Sequence, residues 1–263
     1  MSRRRLDAEL VRRGLAASRT EAQRLVDEGH VVVGGYPEPK AATQVDGVTS
    51  IRVAAPLHPY VSRGGLKLRA ALDAFAIDPT GRAVIDLGAS TGGFTDCVLQ
   101  AGARSVVAVD VGYGQLAERL RTDPRVLVAD RTHVRDVDLE AAGGPFGLVV
   151  GDLSFISLCA VADEIARLGE DDADWVLLVK PQFEVGRERV GRGGIVRDPM
   201  LHAAALTDTI ACLAGAGLVA VGVVASPIAG AKGGNREFLL HLRRTGDAVD
   251  AGAIRDAVEA VAP

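Results

Sequence analysis

The sequence predicts an α/β fold: a doubly wound, mostly parallel sheet preceded by a small basic module. Three observations carry that expectation. Seven short apolar runs recur at 83–87, 105–110, 126–130, 146–152, 174–180, 218–225 and 237–243, most of them separated by helical stretches. The first run opens into a glycine-rich turn and then an amphipathic stretch, Phe94 to Ala101, the arrangement that lets backbone approach a nucleotide closely. Charge is divided along the chain. Residues 1–69 hold 12 Lys+Arg against 7 Asp+Glu, a balance of +5, and the remainder holds 18 against 27, a balance of −9. On charge alone, the basic front suits either a polyanionic partner or a solvated arginine-rich surface.

At 263 residues the chain is long enough for one large domain or a domain plus a module. Its 24% charged and 48% hydrophobic residues are ordinary for a globular protein. Cys97, Cys159 and Cys212 lie far apart without CxxC spacing, so neither a zinc site nor a disulfide framework is expected, and a reducing cytoplasm fits. Asp7 and Glu9 fall where a signal peptide needs an apolar core. Residues 209–231 carry no charge, but four glycines and Pro227 interrupt them. They read as a helix end through Cys212-Leu213, a Gly-Ala-Gly turn and a buried strand from Leu218 to Ala225, with no membrane insertion.

In the front part, Leu6, Leu10 and Val11 give a helix from Leu6 to Arg13 that stops at Gly14. Ser18 with Glu21 three residues on is a capping-box pattern for a second helix, which ends at Gly29. Val31-Val32-Val33 reads as a strand, Val48 to Val53 as another, and Ala54 to Pro59 as a linker. Together these features resemble the S4-type RNA-binding domain. That resemblance makes Arg4, Arg5, Arg19, Arg24 and Lys40 candidate phosphate contacts. Phosphate contacts give affinity without reading sequence.

The turn Asp86-Leu87-Gly88-Ala89-Ser90-Thr91-Gly92-Gly93-Phe94-Thr95-Asp96 lacks Gly-Lys-Ser/Thr and the tight dinucleotide glycine spacing. Asp110, ending the second strand, is placed to bond ribose hydroxyls. A cofactor with an adenosine but no phosphates fits, which points to S-adenosylmethionine (SAM). Asp152 and Lys180 end the fourth and fifth strands, where ligands bind in parallel sheets. Lys67 opens the helix before the first strand, and Glu237 opens the last strand. A lysine amine is a sensible base for a ribose hydroxyl, and like-charge repulsion from a second lysine and a sulfonium favours its neutral form. Taken singly, each of the four reads as half of a structural ion pair; together they favour catalysis. The fourth-strand motif Asp-Leu-Ser-Phe is not the Asn/Asp-Pro-Pro-Tyr of amino-group methyltransferases, and no Pro-Cys nucleophile is present. Cys159 reads as core.

Val61-Ser62-Arg63-Gly64, Asp86 to Asp96, Asp110 to Leu116, Asp152 to Ser157 and Lys180 to Gly186 extend the pattern over nearly the whole chain. On these residues it resembles the TlyA-type, or hemolysin A, family of ribosomal RNA 2′-O-methyltransferases. The resemblance implies a seven-stranded Rossmann-like SAM-dependent methyltransferase domain at 65–263, an S4-type domain at 1–56 and a linker at 57–64. It implies methyl transfer from SAM to the 2′-oxygen of cytidine in 16S or 23S ribosomal RNA, with ribosomal subunits as partners. Loss of that activity is expected to affect sensitivity to capreomycin-type antibiotics. By position, Lys67, Asp152, Lys180 and Glu237 match a catalytic Lys-Asp-Lys-Glu tetrad, with Lys180 chosen as base. Gly88, Ser90, Gly92, Gly93, Phe94, Asp110 and Asp130 match the cofactor site, and Arg63 is expected to hold RNA or position the linker. Departures are Asp130 where Glu is usual, His133 after Arg131-Thr132, the linker's His58-Pro59-Tyr60, and Arg236 before Glu237. Three rival readings stand beside this one: a membrane-active hemolysin, an RNA-binding assembly factor without catalysis, and a small-molecule O-methyltransferase.

Overall fold

A computed structural model of the chain describes residues 3–16, 18–27, 29–35, 39–53, 58–230 and 234–261. The linker reading at 54–57 lies outside these residues. The chain divides into two compact units, Met1–Arg63 and Gly64–Pro263.

The first unit runs β1 (Arg4–Arg5), α1 (Leu6–Arg12), α2 (Arg19–Asp27), β2 (Val31–Val33), β3 (Gln44–Val45) and β4 (Ile51–Val53). β1 pairs antiparallel with β3, and β2 with β4. Leu6, Leu10, Ala22, Val26, Val31 and Val45 form its core. α1 stops before Gly14, whose φ of +69° is left-handed backbone that glycine adopts without steric cost. The expected cap is present, with Glu21 N–H donating to Ser18 Oγ at 3.1 Å. The strand expected from Val48 begins only at Ile51. Asp46 Oδ1 accepts from the Val48 and Thr49 amides, folding that stretch into a turn before pairing can start.

The second unit contains α3 (Gly64–Ala74), β5 (Ala83–Leu87), α4 (Gly93–Gln100), β6 (Ser105–Asp110), α5 (Glu118–Arg121), β7 (Val126–Asp130), α6 (Leu139–Ala142) and β8 (Phe146–Gly151). It continues with α7 (Ala162–Ala166), β9 (Gly169–Val179), α8 (Pro181–Glu184), α9 (Pro199–Gly215), β10 (Val219–Ala225), β11 (Phe238–Arg243) and α10 (Ala251–Glu259). Its strands form one seven-stranded sheet in the order β10-β11-β9-β8-β5-β6-β7. β5 pairs in parallel with both β6 and β8, so the order in which strands are added reverses at β5 and leaves a crevice at the strands' carboxyl ends. β11 runs antiparallel to β9 and β10, so its amino end meets the carboxyl ends of β8 and β9. This places the residue before β11 beside residues that follow β8 and β9. Continuous apolar runs give strands buried on both faces, and Trp175 at the centre is fully buried with Nε1–H donating to Ile165 O.

Two expectations are corrected here. β9 starts at Gly169 rather than at residue 174, because its first turns carry the exposed acids Glu170, Asp171 and Asp172, which an apolar pattern does not register. Cys159 and Cys212 form a disulfide, with Cα atoms 5.3 Å apart. Cys159 is therefore not a core thiol; it lies half-buried on a 3₁₀ turn, Leu158–Val161, against α9. A separation of 53 residues gives no spacing signal, and only the fold brings that turn onto α9. The uncharged 209–231 stretch divides into α9 and β10 as expected, and among the described residues no helix is long and apolar enough to cross a membrane.

Candidate active site

The glycine turn leaves β5 on backbone that side chains would obstruct. Gly88 has φ +83°, and a Cβ there would lie 2.9 Å from the Asp152 carbonyl oxygen. Gly92, at φ +97°, would drive a Cβ into Leu116 and Leu120. Ser90 is also left-handed, at φ +48°, and its amide donates to Asp110 Oδ2 at 2.8 Å. Asp110 Oδ1 accepts from the Gly112 amide at 2.6 Å, so one carboxylate ties the first turn to the second. Asp130, beside Asp110 in the sheet, accepts from the Gly114 amide and from Arg121; these bonds, the Gly114 amide foremost, hold its carboxyl below the ordinary value. Gly93 starts α4, and Phe94, expected in the cofactor loop, is buried at 3% exposure. His133 caps the short turn Val134–Asp136, its Nδ1 accepting from the Arg135 amide.

The structure brings all four expected charged residues together. Lys67 Nζ donates to Glu237 Oε2 at 2.6 Å and lies 3.8 Å from Asp152 Oδ2. Lys180 Nζ lies 2.5 Å from Asp152 Oδ1. The result is one alternating chain, Glu237–Lys67–Asp152–Lys180, with two positive and two negative groups. Lys67, Lys180 and Glu237 are buried, while the Asp152 side chain keeps 23% exposure. Burial opposes charge on Asp152, but Lys67 and Lys180 outweigh it, and the carboxyl sits below its ordinary value.

Asp86 shows the opposite balance. It is wholly buried, and Thr95 Oγ1–H donates to its Oδ2 at 2.6 Å. Its Oδ1 has no hydrogen-bond partner among the described residues. Desolvation pushes this carboxyl up to about 7 despite the Thr95 bond.

Sequence reasoning did not single out three further features. Lys180 Nζ also donates to Ser154 Oγ at 2.6 Å, so the base candidate is held from two sides. Phe155 is 83% exposed at φ +66°, and its ring centroid lies 5.4 Å from that of Phe183. A bulky residue in left-handed backbone is a genuine outlier, and such outliers cluster at functional sites. Glu184 anchors the segment after Phe155 by accepting from Ser157 Oγ and the Leu158 amide. Their only signal in sequence was membership of the Asp152–Ser157 and Lys180–Gly186 motifs.

In the first unit, Arg5 and Arg19 both bond Asp7, whose carboxyl is held well below the usual range, first by Arg5. Arg4, Arg24 and Lys40 are exposed. Arg63 Nε–H donates to the Asp27 carbonyl at 3.2 Å.

The FtsJ-like methyltransferase family matches residues 60–244, and the S4 domain matches residues 4–47. The chain is 51% identical over 261 residues, 98% of its length and 97% of the other's, to the 16S/23S rRNA (cytidine-2′-O)-methyltransferase TlyA of Mycobacterium tuberculosis. It is 39% identical to Hemolysin A of Brachyspira hyodysenteriae over 90% of this chain and 98% of that one. Among solved structures, a hemolysin-named protein from Streptococcus thermophilus superposes with a TM-score of 0.78 at 38% identity, covering 99% of this chain and 96% of that one. With identity of this extent over nearly its full length, the chain belongs to the TlyA, or hemolysin A, family of FtsJ-like methyltransferases.

Proposed function

We propose that the chain transfers a methyl group from SAM to the 2′-hydroxyl of a cytidine in ribosomal RNA, 16S, 23S or both. The observation that carries the proposal is the Glu237–Lys67–Asp152–Lys180 chain at the carboxyl edge of the sheet, next to the glycine turn. The relatives' activity supports the choice of substrate.

The turn's chemistry fits SAM. Its glycine backbone leaves no room for side chains, and the unpartnered buried Asp86 Oδ1 and the Asp110 carboxylate suit a ligand that brings an ammonium and ribose hydroxyls. Bound SAM supplies the electrophilic methyl group, carried on a sulfonium, that the 2′-oxygen takes. Lys180 accepts the hydroxyl proton at Nζ. Ser154 and Asp152 aim that nitrogen, and Lys67, held by Glu237, balances the Asp152 charge. The exposed Phe155 ring, packed against Phe183, offers a face for stacking a nucleobase. The arginines of the first unit contact phosphate, and loss of the enzyme changes sensitivity to capreomycin-type antibiotics.

The test is tritiated-SAM transfer to purified ribosomal subunits from a strain lacking the enzyme, comparing wild type with Lys180→Ala. Incorporation should fall by a factor of about 10²–10⁴ in the variant, the usual contribution of general-base catalysis. Full activity in Lys180→Ala would remove the base, and no incorporation by wild type would remove the substrate.

A further inference from the structure

We infer that residues 186–197 form an arm on the catalytic unit that docks ribosomal RNA phosphates; the inference rests on the proposed reaction. The arm holds Arg187, Arg189, Arg192 and Arg197 against one acid, Glu188. It stands out against its surroundings, because residues 64–263 together hold 20 Lys+Arg against 27 Asp+Glu. A net acidic body repels a polyanion, so a local cluster of cations is needed where RNA must come close.

All four arginines are exposed, and the only ion pair any of them makes among the described residues is the long Arg189–Glu188 contact at 3.8 Å. Guanidinium groups left in this state are suited to phosphate oxygens. The arm is also built rather than loose. Its tip is a tight turn closed by the Gly191–Ile195 bridge, with Gly193 and Gly194 both left-handed, and it presents Arg192. Its ends rest on a small apolar cluster of Val185, Val196 and Ala205. Buried Asn235 clamps it, accepting from the Val196 amide at 2.9 Å and donating to Gly194 O at 2.8 Å. His202 Nε2 bonds Val196 O at 3.0 Å. The arm therefore leaves α8, which follows Lys180, and is pinned two residues before Glu237. RNA held on it is held beside both ends of the charged chain.

The test measures binding of the full chain to purified ribosomal subunits across a salt series, with Arg187, Arg189, Arg192 and Arg197 all replaced by Ala. The variant should bind subunits about tenfold or more weakly. Its log–log salt slope should be shallower by roughly 0.7–0.9 for each phosphate that is no longer neutralised. SAM affinity should match wild type. An unchanged affinity and slope would overturn the inference, as would loss of binding to anionic phosphatidylglycerol vesicles with subunit binding intact. Binding is read without methyl transfer, so a wild type that binds through the arm but transfers nothing counts against the reaction alone.

Discussion

Asp86→Asn should stabilise the catalytic unit in alkali and weaken it slightly in acid. Asp86 lies wholly buried in β5 with one oxygen unpartnered, and its carboxyl is pushed up to about 7. A raised folded-state value means that the folded chain holds this proton more tightly than the unfolded chain does. The cost of the charge is therefore absent below the ordinary value near 3.8, grows as pH rises, and is complete above 7. A rise from 3.8 to about 7 corresponds to roughly 4 kcal/mol, of which roughly 2 kcal/mol is already present at pH 5. Asn keeps an oxygen for Thr95 but buries an amide N–H₂ that lacks an acceptor, at a cost of about 1–3 kcal/mol. Between pH 5 and pH 8.5 the variant's melting temperature should rise relative to wild type by roughly 5–10 °C, since a unit of this size converts 1 kcal/mol into about 2–4 °C. The chain's one tryptophan, Trp175, is fully buried in the same sheet, so its fluorescence reports this unit. A melting difference that stays the same at both pH values would refute the reasoning.

Three other outcomes follow from the geometry. Gly88→Ala forces a Cβ to within 2.9 Å of the Asp152 carbonyl on left-handed backbone, at roughly 1–2 kcal/mol of conformational cost alone, so titration calorimetry should show SAM affinity at least tenfold weaker. Reducing the Cys159–Cys212 disulfide opens a loop of 53 residues, for which chain entropy suggests about 4 kcal/mol; a Trp175 melt unchanged by dithiothreitol would contradict that stabilisation. Phe155→Ala removes an exposed ring and should leave the melt nearly unmoved while raising the KM for subunits, by an amount matching stacking of about 1–3 kcal/mol per base; an unchanged KM would show that the ring stacks on nothing.

The sheet was legible because its strands are apolar on both faces and its helices are not. All seven strands lie where the runs placed them, apart from the acidic start of β9. The charged chain was legible for a related reason. Lysine or aspartate directly after a buried strand is conspicuous, and parallel topology sends those ends to one edge. The disulfide was hidden because Cys159 and Cys212 meet only through the packing of a 3₁₀ turn on α9. Ser154 and Phe155 were hidden for another reason. Their roles depend on a left-handed kink at Phe155, a backbone state that the residue type itself argues against.

That kink shows how the unit holds costly features in place. Phe155 in left-handed backbone costs of order 1–3 kcal/mol, and the segment would relax if nothing over-determined it. On one side Ser154 is held by Lys180, which Asp152 fixes in turn. On the other, Ser157 and Leu158 are held by Glu184, and Cys159 is covalently tied to α9. Burial raises the Glu184 carboxyl above its ordinary value despite these bonds, so its charge carries a cost that falls away as pH drops. The same residues that aim the lysine amine thus also hold the exposed ring beside it. A change at Glu184 or Cys159 should therefore act on Lys180 and the Phe155 ring together.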